Sequence, residues 1–292
     1  MTTRPIAIRP PSRERDRWRR HPVRLAAVVV LLVLVLYPLL WMIGTSLKSP
    51  TEIADNLSVL PRRFTWSNYP EGWTGQPDVT FGRFFLNSLL LAGATVVANC
   101  ASCLVTAYAF ARLRFPGRRL WFAAMIATLL LPGHVLIIPQ YLLFRHLNWI
   151  DTALPLVVPK LLATEAFFVF LMVQFLRGIP HVIDESAKID GCSPYGLFRW
   201  VILPLARPAI ATTAIFSFIW TWNDFFTQLV YLNDLSNYTV PIALRQFVDS
   251  SGQSAVGPLF AMSVVSLLPV FLFFVAFQRL LVAGITPYRM GR

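Results

Sequence analysis

The chain has 292 residues, of which 56% are hydrophobic and 14% are charged, and its formal net charge is +12. Soluble domains carry about 25% charged residues, so this composition excludes an ordinary soluble protein and predicts several membrane-spanning segments. Basic residues accumulate on the cytoplasmic side of membrane proteins. Topology therefore explains the positive charge, and nucleic-acid binding is not predicted.

Residues 1–24 form an arginine-rich segment with several prolines, which prevent one continuous helix. We interpret it as a mostly disordered cytoplasmic tail that also has the charge to contact anionic lipid. The apolar run that follows, 25–43, is long, lacks a small-residue cleavage site and contains Trp41 near its end. These features favour an uncleaved first span over a signal peptide.

Six apolar runs are long enough to be membrane spans, so the sequence predicts an all-α integral membrane protein with six transmembrane helices. Their approximate bounds are 25–43, 84–110, 120–144, 153–176, 203–231 and 259–281. The third run is interrupted by Pro132-Gly133. We therefore predict one six-span domain over 25–285, followed by a short tail at 286–292.

An even number of spans places both ends of the chain on the same side of the membrane. Most basic residues fall on that side: those of the first 24 residues, the cluster at 112–119, the stretch 180–208 and the C-terminal tail. The positive-inside rule therefore places both termini and the stretch 180–208 in the cytoplasm. The predicted location is the plasma membrane, which the chain crosses several times.

The polar stretch 180–208 separates the fourth and fifth apolar runs. Pro180 lies where a first helical turn tolerates proline, and Gly191 lies where a helix end prefers glycine. Ser193-Pro194 then repeats the start signal, with serine as the cap and proline just inside. The pattern predicts a helix, a glycine joint and a second helix that ends near Ile202, before the next proline.

The sequence contains no nucleotide-binding P-loop, no paired metal-ligand spacing and no arguable Ser/His/Asp set. We therefore predict that the chain is not an enzyme and holds no cofactor or metal of its own. Cys100 and Cys103 form a C-x-x-C, but it lies in an apolar run without a second pair. Small packing residues are the favoured interpretation of this spacing, and a redox or metal role is the alternative.

The residues ESAKIDG at 185–191, followed by Ile202-Leu203-Pro204, resemble the EAA loop of bacterial ABC-importer permeases. Six positions match the family pattern, and Ser186 stands for the usual alanine; the matching positions are Glu185, Ala187, Asp190, Gly191, Leu203 and Pro204. Five other segments are similar to the carbohydrate branch, in the manner of the second maltose permease subunit: 38–53, 87–97, 107–119, 137–144 and 222–232. Two of them, AYAFARLRFPGRR at 107–119 and WNDFFTQLVYL at 222–232, together favour that branch.

This resemblance implies the fold of an ABC type I importer permease, in which two permease chains enclose a pathway. It also implies two separate ATPase subunits, which hold ATP and Mg²⁺, and a secreted solute-binding protein. The EAA residues, including Ser186, would couple the ATPase to the spans. The C-terminal sequence GITPYRMGR differs from the small, glycine-rich end of the family, so no role is carried over to the tail.

Ionisable residues inside spans are costly and usually face a cavity or a partner. We predict that Glu165, Trp220, Asn223 and Asp224 line a substrate pathway, since aromatic faces beside hydrogen-bonding groups suit sugar rings. Hydrogen bonding between helices is the alternative role. Lys160 precedes Glu165 by five residues, about 140° round a helix, so the two are not expected to pair.

The predicted spans carry buried carboxylates but no arginine well inside them. Since phosphate recognition favours arginine, a neutral sugar or oligosaccharide is the predicted substrate, and a glycerol phosphate or glycerophosphodiester is the alternative. A secondary transporter that works as a single chain is the alternative class of protein. Such transporters usually contain inverted repeats, and no clear internal repeat is found.

Overall fold

The computed structural model describes residues 22–55, 58–74, 79–249 and 256–285. Over these residues the chain is helical, with short turns between helices. The α-helices are α1 (Pro22–Ser46), α2 (Pro50–Asp55), α3 (Asn68–Thr74), α4 (Phe81–Arg112), α5 (Arg118–Thr128), α6 (Ile137–His146), α7 (Leu154–Leu161), α8 (Ala166–Arg177), α9 (His181–Ile189), α10 (Pro194–Gly196), α11 (Leu203–Leu205), α12 (Arg207–Asn223), α13 (Phe226–Tyr231), α14 (Val240–Asp249) and α15 (Val256–Ile285).

Four segments of the described chain are long and apolar enough to cross a membrane: Arg24–Ser46, Phe81–Arg112, Leu154–Arg177 and Val256–Gln278. A fifth results if Pro194–Leu205 and Arg207–Asn223, which meet at a bend of 68°, count as one span. The predicted third run instead forms two shorter helices, α5 and α6, on either side of the Pro132-Gly133 break. The all-helical architecture is confirmed over the described residues, and the count of six spans stays a prediction.

Both predicted tails fall mostly or wholly outside the described residues. The structure begins at α1, so only the last positions of the 1–24 segment are included, and 286–292 is not. The boundaries predicted for the tails therefore remain predictions.

Helix α4 is the central element of the bundle. Its sequence contains no proline, which allows an unbroken helix from Phe81 to Arg112. Leu113 ends it in an extended conformation, as expected shortly before the Pro116-Gly117 turn. The helix packs against α7, α8 and α12. A movement of α4 would therefore displace most of the bundle.

A buried cluster joins α4 and α8 to the second half of the polar stretch 180–208. It includes Cys103 of α4, Met172 and Leu176 of α8, and Ile202 and Ala206, all fully buried. Within a membrane such packing stabilises through van der Waals contact rather than exclusion of water. The position of Cys103 among these apolar groups supports the packing role predicted for it.

Asp151 fastens together two loops at the end of the bundle opposite the stretch 180–208. Its carboxylate Oδ1 accepts hydrogen bonds from the backbone N–H groups of Asn233 and Asp234, both at 2.9 Å. Its own N–H donates to the carbonyl of Tyr231 at 2.8 Å. Burial by itself raises the pKa of this carboxyl, but the hydrogen bonds from Asp234 and Asn233 outweigh burial and lower the pKa.

The pH dependence of stability should therefore change in Asp151→Asn. Because the folded-state pKa lies below the ordinary value of 3.8, the carboxylate stabilises the fold fully above that value, and this contribution is lost as pH falls through the folded-state pKa. The amide oxygen of Asn still accepts the two hydrogen bonds but does not titrate. Thermal unfolding of detergent-purified protein between about pH 6 and about pH 3 should show a smaller loss of Tm in Asp151→Asn than in wild type.

Asp234 titrates in the same pH range in both proteins. Hydrogen bonds from the hydroxyl and the N–H of Ser236 lower its pKa. Repulsion between Asp234 and Asp151 is absent in Asp151→Asn, and its loss favours a smaller loss of Tm in the variant. Identical Tm losses in the two proteins would contradict the role assigned to Asp151.

Candidate functional site

Residues 180–208, termed here the EAA segment, form the helix, joint and second helix that the sequence predicts. Helix α9 ends at Ile189, and Gly191 follows with φ of 82°, a left-handed conformation that suits glycine and that proline cannot adopt. The Ser193 hydroxyl accepts a hydrogen bond from the N–H of Gly196 at 3.1 Å, so it caps α10 as predicted.

The second helix does not end before Pro204, and this part of the prediction is wrong. After α10 the chain continues as a π-helical turn, Leu197–Ile202, and then as α11. Pro204 lies in the first turn of α11, where its missing N–H costs no helical hydrogen bond. The break instead follows α11, where the helix axis bends by 68° into α12.

Helix α9 has an inward face and an outward face. Asp184 is buried and Ala187 is half-buried against the rest of the bundle. The outward face carries exposed residues at the spacing i, i+3, i+4 and i+7, which places them on one side of a helix: Val182, Glu185, Ser186 and Ile189. The exposure of two aliphatic residues on this face, 67% for Val182 and 86% for Ile189, indicates a surface that another protein covers.

Four of the predicted coupling residues are exposed at or near the end of α9. Glu185 has no ion-pair partner within the described part of the chain, so its carboxylate is available to a partner. The hydroxyl of Ser186 donates to the carbonyl of Val182 at 2.9 Å and therefore binds its own helix. Asp190 and Gly191 form the exposed end of the helix.

The other three predicted coupling residues lie inward. Ala187 and Leu203 pack against the buried cluster that joins α4 and α8, and Pro204 is half-buried. The second half of the segment adds two exposed aromatic residues that sequence reasoning did not assign to the site, Tyr195 at 73% and Trp200 at 72% exposure. The EAA segment thus combines an outer contact surface with an inner anchor.

Arg112 and Asp184 form part of that anchor, although the sequence analysis gave neither a role. Arg112 Nε lies 3.1 Å from Asp184 Oδ2, and the side chains are 2% and 8% exposed. Arg112 ends α4 within the segment 107–119, and Asp184 directly precedes Glu185 of the EAA motif. Both residues therefore lie in or beside motifs that the sequence analysis identified. Their proximity depends on how α9 packs against α4, which no local pattern reveals.

A cavity of about 660 Å³ lies within the bundle, a volume typical of small-molecule sites. Three predicted spans are interrupted where they line it: at Gly133 between α5 and α6, at Thr164 between α7 and α8, and at Asp224 between α12 and α13. At membrane depth, irregular backbone is tolerated where it is buried in protein or lines a water-filled cavity. The three breaks therefore mark this cavity as the candidate substrate site.

The structure brings all four predicted pathway residues to this cavity. Glu165, Trp220, Asn223 and Asp224 each line it. Trp220 is 46% exposed, and its ring centroid lies 5.0 Å from that of Phe168. An aromatic face is thus presented beside one amide and two carboxylates.

Lys160 and Glu165 form an ion pair, contrary to the sequence analysis. Helix α7 ends at Leu161, and Ala163 adopts a left-handed conformation with φ of 55°. The expected separation of about 140° holds only within one continuous helix, so it does not apply across this break. Lys160 Nζ contacts Glu165 Oε1, and the side chains are 29% and 27% exposed to the cavity region.

Helix α4 contributes polar cavity residues that sequence reasoning missed. Asn99 Nδ2 donates to the Ser217 hydroxyl of α12 at 2.8 Å. The Thr95 hydroxyl is buried and makes no hydrogen bond with any described residue. The signal in the sequence was an amide and a hydroxyl at helical spacing in an otherwise apolar run.

The formal charge around the cavity is slightly negative. Among the described residues that line it, Lys160 is the only basic one, whereas Glu165 and Asp224 are acidic. Since Lys160 is paired with Glu165, no unpaired cation faces the cavity from the described chain. The lining is better suited to accept hydrogen bonds from hydroxyl groups than to bind an anion.

Comparison with known proteins gives consistent results. The sequence model of the family described as binding-protein-dependent transport system inner membrane component matches residues 103–287. The diacetylchitobiose uptake system permease protein NgcG of Streptomyces coelicolor is 31% identical over 262 residues, which cover 89% of this chain and 86% of that protein. The trehalose transport system permease protein SugB of Mycobacterium tuberculosis is 33% identical over 252 residues, with coverage of 86% and 90%.

A solved structure shares the fold. It is the crystal structure of a bacterial ABC transporter involved in the import of the acidic polysaccharide alginate, one chain of which aligns with a TM-score of 0.78. The alignment covers 92% of this chain and 99% of that chain at 22% sequence identity.

Proposed function

Because the chain belongs to the family of binding-protein-dependent transport system inner membrane components, we propose that it is a membrane-spanning subunit of an ATP-binding-cassette importer that moves a sugar or oligosaccharide into the cytoplasm. One observation carries the proposal: α9 is anchored inward at Asp184 and presents Glu185 outward between exposed apolar side chains. A helix held on one side and free on the other is suited to transmit the movement of a docked partner.

In this proposal the chain crosses the plasma membrane six times. The pair α5 and α6 supplies the third span across the Pro132-Gly133 break, and α12 with α13 supplies the fifth. The basic residues then lie mainly on the side that holds both termini and the EAA segment, which the positive-inside rule assigns to the cytoplasm. Asp151 and its loop lie on the outer side.

The energy for transport comes from separate ATPase subunits, because the sequence has no P-loop of its own. ATP and Mg²⁺ bind to those subunits, two of which serve the complex. The apolar side chains of Val182, Ile189, Tyr195 and Trp200 provide contact area for one ATPase, and Glu185 provides a charge. Together they form a surface of the kind that protein partners bury.

A second permease chain completes the pathway, and a secreted solute-binding protein delivers the substrate. The most apolar 18 residues within Arg24–Ser46 include none that is buried in this single chain. That surface is left for lipid and for the second permease. The arginine-rich tail adds attraction to anionic lipid.

The cavity favours a neutral carbohydrate over a glycerol phosphate or glycerophosphodiester. Its two carboxylates and the amide of Asn223 suit hydroxyl groups, and Trp220 offers an apolar face. A phosphate ester would meet excess negative charge and no arginine among the described lining residues. NgcG and SugB, named as permeases for diacetylchitobiose and trehalose, support the carbohydrate class.

Titration of the solute-binding protein that delivers substrate to this chain tests the substrate class. Trehalose, diacetylchitobiose and glycerol 3-phosphate serve as probes, and affinity-purified permease is checked for a copurifying P-loop ATPase. We expect binding of a sugar and recovery of the ATPase. Tight phosphate-ester binding without sugar binding would contradict the substrate class, and ion-driven uptake by this chain alone in liposomes would indicate a secondary transporter instead.

A further inference from the structure

Arg112 holds the start of the EAA helix through three separate contacts. Its Nε lies 3.1 Å from Asp184 Oδ2, its Nη2 donates to the carbonyl of Ile179 at 2.8 Å, and its Nη1 lies 3.1 Å from His181 Nδ1. These partners lie in the first turns of α9 or just before it. One guanidinium therefore fixes this end of α9 to the last turn of α4.

The contact uses all three guanidinium nitrogens of Arg112: Nη1 and Nη2 form hydrogen bonds, and Nε faces Asp184 as an ion pair without an aligned hydrogen bond. A guanidinium presents donors in a rigid planar fork, whereas the lysine ammonium is a point charge on a flexible stem. A buried ion pair contributes little net stability compared with apolar packing of the same volume. What the fork adds here is a fixed orientation of α9 relative to α4.

Helix α4 provides a direct path from this contact to the cavity. Asn99 lies about 20 Å from Arg112 along the helix, at about 1.5 Å per residue, and no proline intervenes. Asn99 donates to Ser217 in the cavity wall at 2.8 Å. The route through α12, by contrast, crosses a π-helical turn and the 68° bend.

We infer that Arg112 is a positioning residue that transmits the movement of the EAA helix to α4, and along α4 to Asn99 and the cavity. This inference rests on the proposed function, since it requires an ATPase that moves the EAA helix. Without the guanidinium, α9 still docks on its partner, but its displacement is no longer passed to α4. ATP hydrolysis then continues with little import.

The test compares the complete complex in proteoliposomes as wild type, Arg112→Gln, Arg112→Lys and Arg114→Gln. The measured quantity is the number of ATP molecules hydrolysed per sugar imported, together with recovery of the assembled complex. We expect Arg112→Gln to raise this ratio tenfold or more, and Arg112→Lys to give an intermediate rise. Arg114 is exposed and has no side-chain partner among the described residues, so Arg114→Gln should leave the ratio unchanged.

In Arg112→Gln, the ratio could stay unchanged while uptake and hydrolysis both fall in proportion to the amount of complex. That result would assign Arg112 a purely structural role and overturn the inference. If Arg112→Gln does not assemble, the ratio in Arg112→Lys decides in the same way: a rise supports the inference and an unchanged ratio overturns it. Failure of the proposed function is distinguishable, because the wild-type complex itself would then show no ATP-driven sugar uptake.

Discussion

Glu185→Lys should abolish ATP-driven uptake while the protein still inserts into the membrane. Glu185 is exposed and makes no ion pair within the described chain, so the substitution removes no internal contact. It reverses the charge at the centre of the surface flanked by Val182 and Ile189. Loss of a desolvated interfacial charge pair costs about 2–5 kcal/mol, so we expect the uptake rate to fall by about 30-fold or more.

Ser186→Ala is the matched control for Glu185→Lys. The Ser186 side chain is on the same face of α9, but its hydroxyl bonds to the carbonyl of Val182 in its own helix. Its removal should change neither uptake nor recovery of the ATPase. Membrane abundance, copurified ATPase and sugar uptake are measured for each variant, and wild-type values of all three in Glu185→Lys would show that this face is not the docking surface.

The second large effect is expected at the ion pair between Lys160 and Glu165. Glu165→Gln removes the carboxylate that contacts Lys160, in a site where both side chains are less than a third exposed, and leaves Asp224 as the remaining negative charge that acts on Lys160. Unpairing a buried charge costs about 3–5 kcal/mol, and the partial exposure places this site near the lower limit. We expect lower abundance and at least a tenfold loss of uptake per molecule, whereas Glu71→Gln, at an exposed position of α3, should have neither effect.

The double variant Lys160→Met with Glu165→Gln separates stability from substrate binding. It removes both charges, so no unpaired cation is left and membrane abundance should recover. Uptake per molecule should stay low, because the carboxylate of Glu165 lines the cavity and is proposed to accept hydrogen bonds from substrate hydroxyls. Recovery of wild-type uptake in the double variant would show that the pair acts only on the structure and that Glu165 does not contact the substrate.

The EAA segment could be predicted largely from local chemistry. A glycine after α9 and a serine–proline start for α10 act through their own backbone, so Gly191 and Ser193 perform the roles that their types indicate. The end of the second helix could not be predicted in this way. Pro204 is a stop signal inside a helix but is tolerated in a first turn, and α11 begins at Leu203, directly after the π-helical turn.

The residues that line the cavity were predicted, but the contacts between their side chains were not. Polar groups in apolar runs stand out, which is why Glu165 and Asp224 were identified. The pairing of Lys160 with Glu165 depends on a left-handed Ala163, and alanine carries no sequence signal for that conformation. The contact between Arg112 and Asp184 likewise depends on tertiary packing between helices distant in sequence.

The central claim is that ATP hydrolysis by a separate subunit drives sugar import through this chain by way of the EAA segment. Its most direct test is uptake of radiolabelled sugar into proteoliposomes that contain both permease chains, the ATPase and the loaded binding protein. The complete wild-type complex should accumulate sugar only with hydrolysable ATP, and the complex with Glu185→Lys should not accumulate it. Equal accumulation without ATP, or in the Glu185→Lys complex, would contradict the claim.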